Sequence, residues 1–229
     1  MSAQTFNSRS RAGATGLVAT LYDANNSHLL LNDRKIDEIT ALFIRAYGSP
    51  TWGIGAGVMG RGFREAELRF ALRSEGGAVI TVENSNEEII GCRVATSFSG
   101  VISDSAQDAR LAHAVHRLEE GVAGIYSLGD ASYTLQTAVD AEYRGRSIGL
   151  LMIEMHVGFA DSRNVPALIG WTLDTNIPMI RTYERAGYTP IEGSVGLKGG
   201  SLWDGKSFVL AEYEAGVTYR HLLIDAARP

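Results

Sequence analysis

Asp140-Ala141-Glu142-Tyr143-Arg144-Gly145-Arg146-Ser147-Ile148-Gly149 is the stretch whose reading decides the fold. The apolar-rich Tyr133–Val139 before it reads as a strand. After it Ile148, Leu151, Met152, Met155 and Phe159 recur at i, i+3, i+4, i+7 and i+11, one stripe of an amphipathic helix. A basic turn of small residues between a strand and a helix start is a place for an anion. The first helical N–H groups lack intrahelical acceptors, and the dipole puts partial positive charge there. With Arg144 and Arg146 adjacent, a phosphate is the expected ligand. Ser162 to Pro166 ends the helix, and Ala167–Leu173 reads as a second strand. Thr175 or Asn176 caps a further helix that carries Tyr183 and stops at Gly187.

Ala138-Val139, the turn Tyr143–Gly149, and Asn176 followed by Tyr183 and Gly187-Tyr188 together resemble the GNAT superfamily of acyl-CoA-dependent N-acyltransferases. The resemblance covers little more than a quarter of the chain. It implies an α/β (α+β) fold: a mixed, mostly antiparallel sheet flanked by helices. It also implies that main-chain N–H groups of Gly145, Arg146, Ser147, Ile148, Gly149 and Leu150 hold a pyrophosphate, with Arg144 or Arg146 adding charge. Thr137, Ala138 and Val139 would run beside the pantetheine arm, one main-chain N–H polarising the thioester carbonyl. Asn176 would bind the carrier and Tyr183 would protonate the leaving thiolate. Read without the resemblance, Asn176 is a helix cap and Tyr183 a packing tyrosine.

Two departures from the family pattern stand out. Ser147 occupies the place of the turn's usual middle glycine, and its small hydroxyl is suited to donating a hydrogen bond to phosphate. The family's glutamates on the fourth or fifth strand correspond to Tyr133 and Trp171, so the sequence names no general base. A water chain, or an amine that arrives neutral, would need none. By resemblance the first pair of helices borders the acceptor, which makes Tyr47, Trp52, Tyr133 and Trp171 candidate substrate-binding residues. Trp52 reads equally well as a loop residue packed on the core.

The chain of 229 residues suits one domain with additions: a mobile tail over 1–16, an acyltransferase domain over 17–215, and a C-terminal tail over 216–229. Hydrophobic residues make up 45%, enough for a substantial core, and a net charge of −5 gives no basic footprint for nucleic acid. Cys92 is the only cysteine, which excludes an intramolecular disulfide and a cysteine metal cluster. Arg9 and Arg11 precede an apolar run that glycine and threonine interrupt, and no apolar stretch approaches bilayer length. The expected address is the cytoplasm, with no membrane partner.

Leu17–Tyr22 or His28–Leu31 supplies the first strand. Asn32-Asp33 caps a helix with Ile36, Ile39, Leu42, Phe43 and Ala46 on one face, ending at Tyr47-Gly48-Ser49-Pro50. Phe63–Arg73 reads as a second helix after a glycine-rich loop. Ala78–Val82 and Ile89–Thr96 read as a hairpin around Glu83–Glu87. Residues 103–120 read as a helical insertion between the third and fourth strands. Its His113 and His116 lack a third ligand at metal spacing and read as a solvated helix face, so no metal is expected. Tyr188–Ile191 and Ser207–Tyr213 alternate like closing strands. The function expected is transfer of acetyl from acetyl-CoA, or another acyl from its CoA ester, to an amine of a small molecule by direct attack in a ternary complex. Acylation of a protein lysine or N-terminus, and an inactive acyl-CoA-binding module, stand as alternatives; homodimerisation is left open.

Overall fold

A computed structural model describes residues 5–7, 16–23, 32–47, 61–73, 76–98, 131–191, 200–203, 208–211 and 219–225. In chain order these form β1 (Thr5–Asn7), β2 (Val18–Tyr22), α1 (Asp33–Tyr47), α2 (Arg61–Arg73), β3 (Ala78–Glu83), β4 (Ile89–Ser97) and β5 (Ser132–Val139). Then follow α3 (Ile148–Ser162), β6 (Ala167–Leu173), α4 (Ile177–Arg185), β7 (Thr189–Pro190), β8 (Gly200–Trp203), β9 (Phe208–Ala211) and β10 (Tyr219–Asp225). One eight-stranded sheet runs β1-β2-β3-β4-β5-β6-β10-β7, and β8 pairs with β9 apart from it. Every pairing in the main sheet is antiparallel except β5 with β6. The mixed, mostly antiparallel sheet flanked by helices expected from the resemblance is therefore the fold.

Alternation sorts the strands' side chains onto two faces. Ile36, Ile39, Leu42 and Phe43 of α1 and Leu68 of α2 pack with Val79, Cys92, Val94, Tyr133, Leu135 and Ile169 on one face. Ile148, Met152, Met155 and Phe159 of α3 pack with Ala19, Leu21, Ile80, Val82 and Ile90 on the other. Beside them Ile153 and Ala160 of α3 meet Leu168, Tyr183, Tyr188 and Leu222. Burying each large apolar side chain contributes roughly 1.5–3 kcal/mol, so the two layers hold the helices at fixed heights over the sheet.

Several expectations at the chain's ends change. Tyr219–Asp225, expected in a tail, pairs along its whole length with β6. Thr5–Asn7, also expected in a tail, pairs with β2. Phe208–Ala211 is a strand, but it partners β8 instead of closing the main sheet. The His28–Leu31 alternative, Trp52, the 103–120 insertion, His113 and His116 lie outside the described residues.

Two departures from regular pairing shape the centre. The β4–β5 register slips between Val94 and Ala95, opposite Gln136 and Thr134. That bulge sets Leu135 and Gln136 on the same face: Leu135 lies in the α1/α2 core and Gln136 bonds Glu67 of α2. On its other side β5 pairs with β6 only at Ser132–Leu168 and Tyr133–Ile169, and the strands then separate. Gly170 follows directly on β6, and Tyr183 lies over it. A Cβ there would sit 2.4 Å from Cε1 and 2.6 Å from Cζ of the ring. Gly170→Ala should therefore displace an aromatic ring that is 1% exposed. The expected cost is about 1–3 kcal/mol in urea unfolding; an unchanged midpoint would mean that the ring has room to move.

Candidate active site

The anion turn is built from three unusual backbone conformations. Asp140 caps the 3₁₀ turn Ala141–Tyr143 by accepting from Glu142 N, and Arg144 is extended. Gly145 then takes φ +78° and Ser147 takes φ +61°. α3 starts at Ile148, and its first intrahelical bond runs from Leu151 N to Ser147 O at 2.9 Å. The N–H groups of Ile148, Gly149 and Leu150 thus precede the helical ladder, as an anion site requires. The Ser147 side chain makes no cap bond, which leaves its hydroxyl available.

The turn is braced from below. A Cβ on Gly91 would meet Ile148 Cγ2 at 2.9 Å, so the helix start rests directly on β4. Tyr143 accepts a hydrogen bond from Asn84 Nδ2 at 2.9 Å, while Asn84 Oδ1 accepts from the N–H groups of Asn86 and Glu88. One asparagine thereby ties the β3–β4 hairpin turn to the anion turn. Arg146 lies with its guanidinium 5.0 Å from the Tyr143 ring centre, and Arg144 Nε donates to Val139 O. Gly149 points its vacant Cβ position at Thr182 of α4, at 3.7 Å, so this glycine brings α3 and α4 together.

Beyond Tyr133 the free edge of β5 faces the gap. Asp140 N donates to Ile90 O at 2.9 Å, so by alternation Gly91–Val139 and Arg93–Thr137 are the non-hydrogen-bonded pairs flanking Cys92–Ala138. Thr137 and Val139 therefore turn their N–H and C=O groups away from β4 and into the gap. Tyr47, from the end of α1, places its hydroxyl 2.5 Å from Thr137 O and 3.3 Å from Thr137 N. Trp171 Nε1 donates to Thr134 O at 2.8 Å. Tyr133 is wholly buried and packs on Phe98 at 5.1 Å between ring centres. Tyr47, Tyr133 and Trp171 are thus gathered on the α1/α2 side of the gap. Burial pushes the Tyr47 phenol well above its usual range, so it bonds as a neutral hydroxyl.

On α4, Asn176 is the N-cap: its Oδ1 accepts from Met179 N at 3.3 Å. Its amide donors remain for other partners, so capping and carrier binding are compatible. Tyr183, two turns on, is buried and packs on Tyr188 at 4.9 Å.

Four charged or polar residues that sequence reasoning passed over complete the neighbourhood. On the α1/α2 face Glu67 accepts from Gln136 Nε2 at 2.7 Å and pairs with Arg64, both side chains fully buried. Arg64 Nη1 also donates to Gln136 Oε1, and its guanidinium lies 4.2 Å from the Phe43 ring centre. Burial lowers the Arg64 guanidinium to about 10, still cationic at neutral pH. Their i, i+3 spacing on the inward face of an amphipathic helix was the available signal.

On the α3 face Arg93 is fully buried and donates from Nε to His156 Nδ1 at 3.3 Å. His156 Nε2 then carries the proton and donates to Ser132 Oγ at 2.9 Å, and Ser132 donates to Gly76 O. Among the described residues no group of three His, Cys, Asp or Glu could hold a metal ion. Cys92 is buried, and burial pushes its thiol up to about 12, so it is no nucleophile.

The sequence matches the model of the acetyltransferase (GNAT) family over residues 58–188. The chain belongs to the GNAT acetyltransferase family. GNAT acetyltransferases use an acyl-CoA co-substrate, and this chain is an enzyme of that type. No curated protein matches it in sequence. Solved structures share the fold. A protein assigned as a phosphinothricin N-acetyltransferase is 13% identical, with 92% of this chain and 99% of that one covered, at TM-score 0.55. The ribosomal-protein-S5-alanine acetyltransferase of Vibrio fischeri is 10% identical, with 98% and 99% covered, at TM-score 0.55. An N-acetyltransferase of Staphylococcus aureus Mu50 is 12% identical, with 93% and 99% covered, at TM-score 0.55. Among the described residues of this GNAT protein, no helix is long and apolar enough to cross a membrane.

Two outcomes follow for the GNAT site's framework. Burial, then the Arg93 charge, holds the His156 imidazole well below its usual range, so His156 is neutral when folded. The unfolded chain takes up that proton below about pH 6.5, so stability is full above that value and falls on acidification, by at most about 1.4 kcal/mol per pH unit. Urea unfolding between pH 7 and 5 should show this slope, and His156→Gln should flatten it. Ser147→Gly relieves a left-handed serine and should raise stability by up to about 1 kcal/mol in the same assay; a loss would mean that serine is at ease in the turn.

Proposed function

We propose that this GNAT enzyme transfers acetyl from acetyl-CoA to a primary amine of a small molecule, by direct attack in a ternary complex. The observation that carries the reading is the opened edge of β5. It starts beside Tyr183 and runs to the positive-φ turn at the start of α3. In this reading the N–H groups of Gly145 to Leu150, the Ser147 hydroxyl and Arg144 or Arg146 bind pyrophosphate. Thr137, Ala138 and Val139 line the pantetheine, and Val139 N–H polarises the carbonyl, stabilising the oxyanion. The Asn176 amide binds the carrier, and Tyr183 gives its proton to sulfur as the carbon–sulfur bond breaks. The buried Cys92 thiol supports direct transfer over an acyl-enzyme.

A small amine is favoured over a polypeptide by the state of the β5 edge. An extended acceptor chain would pair with main-chain groups there. Thr134 O and both main-chain groups of Thr137 are already bonded by Trp171 and Tyr47.

The test is thiol release from acetyl-CoA with a panel of small primary amines, an alanine N-terminal peptide and a lysine peptide. Transfer to small amines is expected, with Tyr183→Phe losing about 10²–10⁴-fold in kcat while CoA affinity by calorimetry holds. Transfer to peptides alone would move the enzyme to the protein-acetylating reading. CoA binding with no transfer at all would mark a binding module. Ser147→Ala should weaken CoA binding by about 3- to 10-fold, the loss of one hydrogen bond.

A further inference from the structure

Arg93 of β4 is fully buried on the α3 face, at the heart of the opened sheet. Its Nη1 donates to Thr137 Oγ1 at 3.0 Å and its Nη2 to Thr134 Oγ1 at 2.5 Å. Nε donates to His156 Nδ1, and Nη1 stands 3.5 Å from the Tyr183 hydroxyl. The guanidinium carbon is 5.7 Å from the Tyr183 ring centre. None of these partners is a carboxylate. The groups facing Arg93 are thus Thr134 and Thr137 from β5, His156 from α3, Tyr183 from α4, and Tyr188 just beyond it. Arg64, its counterpart across the sheet, is neutralised by Glu67. Among the described residues no carboxylate pairs with Arg93; a buried cation so placed is costly, and a site that carries negative charge during turnover gives a reason to keep it.

We propose that Arg93 is a positioning residue for the GNAT reaction: it aims the Tyr183 hydroxyl and stabilises the negative charge that passes to its oxygen. The proposal rests on Tyr183 being the general acid. As the amine nitrogen bonds to the acyl carbon and the carbon–sulfur bond breaks, the electron pair leaves on sulfur. The Tyr183 proton moves to that sulfur, and the phenolate left behind recovers a proton released from the acylated nitrogen. No other reactant is needed. A free phenol titrates near pH ~10 and a thiol near ~8.5, so this transfer is uphill in water. The guanidinium 3.5 Å from the phenol oxygen is placed to meet the negative charge as it develops there in the transition state. Thr134 and Thr137 hold the guanidinium planar against β5, where a lysine could satisfy fewer partners.

The test uses the full chain and five variants: R93M, R93K, Y183F, R93M/Y183F and R93K/Y183F. Thiol release from acetyl-CoA is read with the amine that the wild type turns over and with water as acceptor; CoA affinity is read by calorimetry. R93M should lower kcat about 10- to 100-fold with CoA affinity nearly unchanged, and R93K should recover part of the loss. In the Y183F background R93M should cost less than about threefold, because the group it serves is gone. An equal loss in both backgrounds, or a loss confined to stability or KM, would overturn the proposal. If R93M does not fold, R93K in the two backgrounds decides in the same way. A wild type that binds CoA but releases no thiol defeats the general-acid reading itself, and this proposal with it. An active wild type with additive R93M and Y183F losses defeats this proposal alone.

Discussion

Backbone groups at the centre of a sheet must find partners, and the separation of β5 from β6 after two paired residues leaves a row of them without a strand. Much of the arrangement nearby answers that constraint. Trp171 bonds Thr134 O, Tyr47 bonds both main-chain groups of Thr137, and Arg144 bonds Val139 O. Side chains from β6, α1 and the anion turn thus do what a neighbouring strand would do elsewhere. The exposed Arg144 side chain can move aside for a ligand, whereas a paired strand cannot. The gap is therefore both satisfied and openable, which a site for a long, thin co-substrate arm requires.

The same constraint explains why the site's glycines and small residues stand where they do. With β5 and β6 apart, Tyr183 can lie across the face of β6 only if residue 170 has no side chain. With α3 starting at the end of β5, the turn must reverse direction within a few residues. It does so through positive φ at Gly145 and Ser147. The family's usual glycine at the latter position is thereby accounted for physically: the backbone there lies in the left-handed region, which glycine enters at no steric cost.

Much of this was legible in the sequence. The strand at Ala167–Leu173 and the stripe on α3 follow from period alone, and the basic turn from its residue types. Asn176 as a cap was legible from its place before a helix. The closing strand Tyr219–Asp225 was not, because Tyr-Arg-His at its start mixes charge with apolar residues and only pairing with β6 makes it a strand. Arg93, Arg64, Glu67 and His156 were hidden for a different reason. A charge in a sequence is read as solvent-facing, since burial is costly unless partners arrive. Here several partners come from far along the chain, for example Thr134 for Arg93 and Gln136 for Arg64, 41 and 72 positions away. Apart from the i, i+3 spacing of Arg64 and Glu67, no local pattern reports them.

Those buried charges divide unequally across the sheet. On the α1/α2 face Arg64 and Glu67 pair and share Gln136, so that cluster carries no net charge. On the α3 face Arg93 meets hydroxyls and a neutral imidazole, and among the described residues no carboxylate pairs with it. The α3 face is also where the N-terminus of α3 and the Arg146 guanidinium lie, so the helix dipole and both cations share one sign there. In the proposed reaction an anionic carrier ending in a sulfur that leaves as thiolate is complementary to that face, and a neutral amine to the uncharged cluster opposite. In that reaction the sheet separates a side suited to charge from a side suited to a neutral nucleophile, and among the described residues the gap between β5 and β6 joins them.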